Sequence, residues 1–366
     1  MFEFGQTVKI KSYRWEYELR YVSILPSVLQ SELRESDVLF VDENVARLHD
    51  EVLKGALNEH KHQLIKPSEQ QKSYQQLESI IEWLIQTGFK KNHRLVAIGG
   101  GITQDICAFI ASIIYRGVEW LFIPTSLLSQ CDSCIGSKTS INFGQYKNQI
   151  GNFYPPVLIF LDDRFLKTLT REEIRSGMGE MMHYFLIAGH DDMMRISNDY
   201  DAAFKEPQVL SGLIQRSLDF KKTMIELDEF DSGPRNIFNY GHSFGHALES
   251  YSNYIIPHGV AVSFGMDIAN ELSLRLGIMH EKETMAMREV LRKNWWPCDF
   301  PAIDIEAYLR ILGKDKKNIG STLRFVLSRG PGDMFLSTVR NDATLREVLI
   351  ERFEYYVSEA KRYETR

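Results

Sequence analysis

Cysteine, long apolar runs and surplus positive charge are all scarce in this sequence. Four cysteines among 366 residues are too few for a disulfide framework. No stretch approaches the roughly 20 apolar residues of a membrane-spanning helix, and the first residues lack the basic start and apolar run of a signal peptide. The formal net charge of -6 excludes the broad basic surface of a nucleic-acid-binding protein. We therefore expect a cytoplasmic protein that binds neither nucleic acid nor membrane.

Two of the cysteines, Cys131 and Cys134, form a CxxC spacing. A redox pair or half of a zinc site would be the functional interpretation. A zinc site needs a second pair of cysteines or histidines at suitable spacing, and the sequence has none nearby. We favour the simpler interpretation, in which two small apolar side chains pack a loop.

The chain is too long for one comfortable hydrophobic core, so we expect two domains in close contact. In the first half, short apolar runs alternate with helical patterns, which predicts a parallel sheet covered by helices on both faces. The predicted strands are 37–42, 94–98, 120–123 and 157–161, and the predicted helices are 74–88 and 103–115.

After about residue 170 the pattern becomes mostly helical. Helices are predicted over 210–227, 259–276 and 282–293, and 323–327 alone looks like a strand. The sequence therefore predicts a Rossmann-like α/β domain over 1–165 and a mostly α-helical domain over 166–366.

Three consecutive glycines, Gly99, Gly100 and Gly101, separate a predicted strand from a predicted helix. Glycine lets the backbone approach a ligand, and the amide groups at the start of a helix suit phosphate. The spacing is not GxGxxG, so a plain tight turn explains the glycines equally well. Asp42 ends an earlier strand, where it could bind ribose hydroxyls or simply cap a helix.

The most informative segment runs from Asn239 to Glu249. His242 and His246 are four residues apart and share one face of a helix, with Gly241 and Gly245 expected to clear space there. His258 follows in a loop that could bring a third imidazole back. The pattern favours a metal or anion site, and Glu180 is a candidate carboxylate ligand.

Basic and amide side chains form a second group. Lys138, Lys147 and Asn148 bracket a glycine-containing loop and could hold phosphate or carboxylate oxygens. Arg235 stands four residues before Asn239 and would share its face if a helix already runs there. A single lysine such as Lys221 is normally solvated at the surface. It indicates a binding site only if the fold brings several basic residues together.

Taken together and in order, these motifs resemble the 3-dehydroquinate synthase family and its sugar-phosphate cyclase relatives. The resemblance runs from about Asp42 to Leu327. Besides the segments already described, it includes Asp42-Glu43-Asn44-Val45, Glu69 to Ser73, Tyr115-Arg116-Gly117, Pro124 to Leu128, Phe165 to Leu169, Gly177 to Glu180 and Asp315-Lys316-Lys317.

The resemblance implies an N-terminal domain that binds NAD, a C-terminal domain that binds Zn²⁺ (with Co²⁺ as an alternative) and a homodimer. It implies zinc ligation by Glu180, His242 and His258. The NAD site would be lined by Asp42, Asn44, Glu69, Lys72, Gly99, Gly100, Gly101, Asp105, Thr125, Ser126, Lys147 and Thr168.

The same resemblance implies a substrate site for a phosphorylated sugar or sugar acid. His246, Asn148 and Lys316 would contact its phosphate, with Arg116 reaching in from the neighbouring subunit. Lys138, Arg235 and Asn239 would lie near its carboxylate. Asp132 and Lys221 would face its hydroxyls.

The implied reaction begins when NAD oxidises a ring hydroxyl to a ketone, which acidifies the neighbouring C–H bond. Phosphate then leaves by elimination, the hydride returns, and an aldol step closes the ring. Zinc would act as a Lewis acid on the hydroxyl and ketone oxygens, while NAD carries the redox chemistry. The substrate phosphate itself could serve as the base.

Two positions depart from the family pattern. Dehydroquinate synthases usually carry lysine three residues after the glutamate of Gly179-Glu180, where this chain has His183. They usually carry glutamate after His258-Gly259, where this chain has Val260. His183 could chelate metal with Glu180, but we favour the interpretation that it fills the lysine's space and hydrogen-bonds a substrate hydroxyl.

The sequence therefore predicts a lyase of the 3-dehydroquinate synthase type. A paralogous cyclase acting on a heptulose phosphate, a hexose phosphate or an amino analogue is the alternative, because the lysine replaced by His183 faces the substrate. A metal-dependent alcohol dehydrogenase of related fold and a non-enzymatic binding protein are less favoured, given Lys138, Lys147 and the intact histidines.

Overall fold

The structure, a computed structural model, describes residues 6–23, 25–144, 146–313 and 322–364. The chain forms two compact units. The first comprises Met1–Thr170 and Lys221–Phe230, and the second comprises Arg171–Phe220 and Asp231–Arg366. Within the described residues, no helix has both the length and the apolar character needed to cross a lipid bilayer.

The first unit contains a seven-stranded sheet in the order β1-β2-β9-β6-β5-β3-β4. Strands β1 and β2 pair in antiparallel fashion, and all other pairs are parallel. The strands are β1 (Thr7–Ile10), β2 (Tyr17–Tyr21), β3 (Val38–Asp42), β4 (Lys61–Ile65), β5 (Leu95–Gly99), β6 (Trp120–Pro124) and β9 (Leu158–Leu161), while β7 (Ile141–Phe143) and β8 (Tyr146–Ile150) form a separate hairpin.

Every residue of β3, β5 and β6 is buried, as expected for central parallel strands covered on both faces. On one face, Leu39, Val96 and Leu121 belong to one core cluster with Leu25 and Leu53 of two covering helices. The helices of this unit are α1 (Leu25–Glu32), α2 (Glu43–Leu48), α3 (Asp50–Glu59), α4 (Tyr74–Gln86) and α5 (Gly101–Ile113).

A short segment late in the chain also belongs to the first unit. Lys221–Phe230 follows the first unit in its contacts, because Glu226 accepts a hydrogen bond from the amide of Lys11 at 2.9 Å. Glu229 accepts bonds from the Ser12 hydroxyl and the Tyr13 amide at 2.6 and 2.7 Å. The sequence patterns gave no sign of this return.

The second unit is mostly helical, as predicted. Its helices are α6 (Arg171–Ala188), α7 (His190–Ala203), α8 (Pro207–Leu227, whose end belongs to the first unit), α9 (His242–Tyr251), α10 (His258–Arg275), α11 (Glu281–Arg292), α12 (Ile305–Leu312) and α13 (Ala343–Glu364). The expectation of a single strand here was wrong, because β10 (Thr322–Gly330) pairs with β11 (Asp333–Arg340).

Glycines allow α6, α9 and α10 to touch backbone to backbone. A Cβ atom on Gly179 would lie 2.0 Å from the Gly259 carbonyl oxygen, and one on Gly259 would lie 1.8 Å from the Ser176 carbonyl oxygen. Similarly, Gly241 and Gly245 abut α10. Our expectation that these two glycines clear space for a ligand was wrong, because helix α10 fills that space.

Candidate functional site

The carboxyl edge of the sheet contains a topological switch point between β3 and β5. The chain leaves β3 toward β4 on one side and leaves β5 toward β6 on the other. Ligands of open α/β sheets bind in the crevice at such a point. Asp42 ends β3, Gly99 ends β5 and Thr125 follows β6, so three groups of the predicted NAD residues border this edge.

The glycine turn has a steric reason for its composition. A Cβ atom on Gly99 would lie 2.7 Å from the Cβ of Thr103, and one on Gly100 would lie 3.4 Å from the hydroxyl of Ser126. Gly101 begins α5, and no described side chain caps this helix. The amide groups of its first turn are therefore suited to a phosphate group.

Asp42 acts as a helix cap in the structure. Its carboxylate accepts hydrogen bonds from the amides of Asn44 and Val45 at 2.9 and 3.3 Å. The capping alternative is thus observed, and the ribose role of Asp42 stays a prediction. Further along the chain, the exposed Thr168 hydroxyl lies 2.8 Å from Nε2 of His49.

A polar network joins the other predicted cofactor residues. Lys72 donates to Asp105 at 2.7 Å. Burial raises the pKa of the Asp105 carboxyl, and the ammonium of Lys72 opposes that shift. The hydroxyl of Ser140 lies 3.0 Å from the carboxylate of Asp105 and 2.9 Å from the side-chain oxygen of Asn148, and its single proton serves one of these two acceptors at a time.

The side-chain amide of Asn142 extends this network. It donates to Glu69 at 2.8 Å, and its oxygen accepts from the amide of Asn148 at 2.9 Å. Lys147 Nζ lies 3.5 Å from Glu69. Sequence reasoning missed Ser140 and Asn142, although two polar residues inside the bracketed loop were a usable signal.

The predicted substrate residues are divided between the units. In the first unit, the buried Lys221 donates to the carboxylate of Asp132 at 2.6 Å. Lys138 is exposed. Arg116 is also exposed, and both it and Tyr115 have left-handed backbone at φ 62° and 49°.

In the second unit, Arg235 and Asn239 lie on one 3₁₀ helix, Pro234–Asn239. A 3₁₀ helix has three residues per turn, so residues four apart do not share a face. The shared face was predicted only if the histidine helix already ran at Arg235, and this condition is not met, because α9 begins at His242. Arg235 is buried, the Asn239 amide donates to the Asn236 carbonyl at 3.0 Å, and Lys316 lies outside the described residues.

Glu180 stands at the centre of a histidine cluster. Its Oε1 lies 3.4 Å from Nε2 of His242, and its Oε2 lies 3.7 Å from Nε2 of His258. The glycines through which the helices touch, Gly179, Gly241 and Gly259, are here called the contact glycines. They explain the convergence, because each is the direct sequence neighbour of one cluster residue, which is Glu180, His242 or His258. As predicted, His242 and His246 lie on one helix, whereas His258 begins a helix rather than lying in a loop.

The charge of the cluster suits a cation. Burial alone would raise the pKa of Glu180, but the imidazole of His242, together with His183 and His258, lowers it well below the usual range. Its buried Oε2 accepts no hydrogen bond from the described residues. An ionised, buried carboxylate facing imidazole nitrogens is a donor set that fits a divalent metal.

Two groups orient the imidazoles. Nδ1 of His242 lies 3.2 Å from the carbonyl oxygen of Tyr240, and Nδ1 of His258 lies 3.2 Å from the carboxylate of Glu249. Both contacts favour a proton on Nδ1 and leave Nε2 facing Glu180, an arrangement typical of metal ligands. Sequence reasoning assigned no role to Glu249, although it lies seven residues after His242 on the same helix.

His246 lies beside the same cluster. Its ring centroid is 5.3 Å from that of His242 and 5.4 Å from that of His258. Desolvation by the surrounding chain and the two neighbouring imidazoles lower the pKa of His246, although part of the residue is exposed. Both effects favour the neutral form of the ring, which can donate or accept a hydrogen bond.

The CxxC pair behaves as the simpler interpretation predicted. Within the described part of the chain, Cys131 and Cys134 are buried and form no disulfide, and burial raises the pKa of Cys134 to about 12. A thiol with such a pKa carries almost no thiolate at pH 7 and is a poor nucleophile.

Known proteins resemble this chain over both units. The family model described as 3-dehydroquinate synthase N-terminal matches residues 62–176, and the one described as 3-dehydroquinate synthase C-terminal matches 177–318. A 3-dehydroquinate synthase from Ruminiclostridium cellulolyticum is 31% identical over 89% of this chain and 92% of its own. One from Acidithiobacillus ferrooxidans is 35% identical over 84% and 86%.

Solved structures give the same fold. A 2-deoxy-scyllo-inosose synthase, complexed with carbaglucose-6-phosphate, NAD+ and Co2+, has a TM-score of 0.85 at 23% identity and covers 94% of this chain and 100% of its own. The 2-epi-5-epi-valiolone synthase of Streptomyces hygroscopicus subsp. jinggangensis, with NAD+ and Zn2+ bound, reaches 0.83 at 23% identity over 93% and 97%. An iron-containing alcohol dehydrogenase reaches only 0.64 at 13% identity over 92% and 97%.

The fold expectation is thus confirmed, and the matched models together span most of the sequence from the first unit into the second. The chain belongs to the 3-dehydroquinate synthase family.

Proposed function

We propose that this protein is a 3-dehydroquinate synthase, an NAD- and metal-dependent lyase that converts a seven-carbon 2-keto sugar acid phosphate into a cyclic ketone acid. The observation that carries the proposal is the buried, ionised Glu180 with Nε2 of His242 and of His258 at 3.4 and 3.7 Å. Relatives bearing this activity at 31–35% identity support it.

The metal would be held by Glu180, His242 and His258, with Glu249 and the Tyr240 carbonyl fixing the orientation of the two rings. When bound, the ion would supply Lewis-acid stabilisation of hydroxyl and ketone oxygens. The solved relatives that bind Co2+ and Zn2+ support a metal in this protein.

NAD would lie along the carboxyl edge of the sheet in the first unit. Its pyrophosphate would face the start of α5 at Gly100 and Gly101, and its chemistry would be reversible hydride transfer. The solved relatives that bind NAD+ support this cofactor. The network of Lys72, Asp105 and Ser140 would hold the loop that borders the nucleotide.

The residues that would bind each part of the substrate follow from their charge and hydrogen-bonding capacity. Arg235 suits the carboxylate of the sugar acid, because a guanidinium donates two parallel hydrogen bonds to a carboxylate. The paired Lys221 and Asp132 would orient hydroxyl groups, since one is a donor and the other an acceptor. Neutral His246 would contact the phosphate as a hydrogen-bond donor. We also propose a cytoplasmic homodimer.

The test is phosphate release by purified protein given NAD and Zn²⁺. We expect release from the seven-carbon 2-keto sugar acid phosphate with no net absorbance change at 340 nm, because the hydride returns to the ring. An exposed-histidine variant, His190→Gln, is the matched control and should retain full activity. Stoichiometric NADH formation without phosphate release would instead establish an alcohol dehydrogenase.

A paralogous cyclase is the second candidate, and His183 is the observation that favours it. The family's usual lysine is a fixed cation there, whereas His183 is fully buried among aromatic rings. Activity on heptulose or hexose phosphates, with none on the sugar acid phosphate, would replace the first proposal by this one.

A further inference from the structure

His183 lies one helical turn after Glu180 on α6 and has no exposed surface. Its Nδ1 lies 3.7 Å from Oε1 of Glu180, and its ring centroid lies 4.8 Å from that of His242. The rings of Tyr184 and Phe238 pack against it edge-on, at centroid distances of 5.0 and 5.9 Å. His183 is therefore held in the cluster by its packing.

The two carboxylate oxygens of Glu180 face different histidines. Oε2 faces His258, whereas Oε1 faces both Nε2 of His242 at 3.4 Å and Nδ1 of His183 at 3.7 Å. Ligand atoms of Glu180, His183 and His242 all lie within 4.8 Å of one another. Tetrahedral zinc with bonds of about 2.0–2.2 Å separates its ligand atoms by roughly 3.3–3.6 Å. The two distances from Oε1, 3.4 Å to His242 and 3.7 Å to His183, therefore already approach this ligand spacing.

We propose that His183 is an additional ligand of the metal, binding it from the Oε1 side of Glu180 next to His242, so that a substrate oxygen would bind as a fifth ligand. The inference rests on the proposed function for the presence of a metal ion. Histidine in place of the family's lysine would then change the metal site chemically, because an imidazole offers a lone pair that a lysine ammonium lacks.

The charge of the side chain at position 183 also affects metal binding. A lysine ammonium close to a divalent cation repels it, and that repulsion is large in a buried setting where screening is weak. A neutral imidazole removes the repulsion and adds a nitrogen donor of the kind that zinc and cobalt prefer. This chain should therefore bind its metal more tightly than a variant that carries the family's lysine.

Two variants separate ligation from packing. His183→Phe keeps a ring for Tyr184 and Phe238 to pack against but has no nitrogen, and His183→Lys restores the family residue. His190→Gln alters an exposed histidine of the same unit and serves as the control. Each full-length protein is freed of metal and titrated with Co²⁺, with a competing chelator used to measure affinity and the visible absorption spectrum used to report the ligand field.

We expect both His183 variants to bind Co²⁺ at least about tenfold more weakly than the parent protein, with shifted visible bands. Thermal unfolding without metal should be unchanged in His183→Phe, which keeps a buried ring at this position. Unchanged affinity and spectrum in both variants would overturn the proposal. Weaker binding with an unchanged spectrum would also overturn it, because His183 would then be a neighbour and not a ligand.

One measurement needs no variant. X-ray absorption of the zinc-loaded parent protein should fit three imidazoles per metal ion, and a fit to two imidazoles would contradict the proposal. None of these readouts depends on turnover. Failure of phosphate release would remove the proposed reaction, whereas an unchanged cobalt spectrum would remove only the role of His183.

Discussion

The two candidate binding regions are built in opposite ways. At the sheet edge of the first unit, the carboxylate of Asp42 caps the helix after β3, and the turn after β5 leads into a helix start without a side-chain cap from any described residue. In the second unit, the ligand candidates stand on helices α6, α9 and α10, which touch through glycines. Turns suit a large ligand that is recognised by many weak contacts, whereas packed helices suit a small ion that needs fixed spacing.

The largest expected effect is a loss of metal binding that is confined to the histidine cluster of the second unit. Glu180→Gln removes the negative charge between the imidazoles, so we expect metal affinity to fall at least about 100-fold and phosphate release to fall about 1000-fold. NAD binding, measured by calorimetry, should change little. The exposed Glu172→Gln on the same helix is the control. Retained metal affinity in Glu180→Gln would refute the proposed ligand set.

The next effect tests whether glycine contacts set the ligand spacing. Gly259→Ala places a Cβ atom 1.8 Å from a backbone oxygen of α6, so we expect the free energy of unfolding to fall by about 2–3 kcal/mol and the metal to bind more weakly. Gly55→Ala, in helix α3 with open space around it, should be neutral or stabilising by up to about 1 kcal/mol. Denaturant unfolding of both variants makes the measurement, and equal effects would contradict us.

A smaller effect should be confined to the sheet edge. Gly99→Ala forces Thr103 and the start of α5 to move, because the new Cβ meets the Thr103 side chain at 2.6–2.7 Å. We expect NAD to bind roughly tenfold more weakly, equivalent to about 1.4 kcal/mol. Co²⁺ binding should be unaltered. A loss of Co²⁺ affinity as large as the loss of NAD affinity would show that the two regions are not independent.

The last expected effect appears only at alkaline pH and concerns the buried thiol of Cys134, whose pKa also responds to the charges of Lys221 and Asp132. Burial raises the pKa of Cys134 to about 12, above the value of about 8.5 expected in an unfolded chain. Its contribution to stability is therefore complete below about pH 8.5 and is lost as the pH rises toward 12. Cys134→Ala should flatten the decline of stability between pH 9 and 11, as measured by urea unfolding, and an unchanged slope would count against this.

Parts of the fold were readable from sequence because local pattern and burial agree there. The continuous apolar runs of β3, β5, β6 and β9 predict central parallel strands, and these were found within one or two residues. Strand β4 was missed because most of its residues are exposed or half-buried. Strand β11 was missed for the same reason, since most of its residues are exposed or half-buried, although the Pro331-Gly332 turn that joins it to β10 was a usable hairpin signal.

For the candidate site, too, the features that depend on local spacing were predictable and those that depend on packing were not. The i, i+4 spacing of His242 and His246 was visible because it lies within one helix. The approach of Glu180 to His242, and that of Glu249 to His258, depend on how helices pack, which spacing cannot reveal. The roles of Ser140 and Asn142 also escaped notice, because each hydrogen-bonds residues far away in the sequence.

The contact glycines at positions 179, 241 and 259 have a consequence for divergence within the family. Where helices meet through main-chain atoms, their separation does not depend on the volumes of surrounding core side chains. Core residues can then change freely in the course of evolution without altering the distances among ligand positions. Single exchanges such as the one at position 183 can then change the chemical groups in the histidine cluster while the spacing of the helices persists.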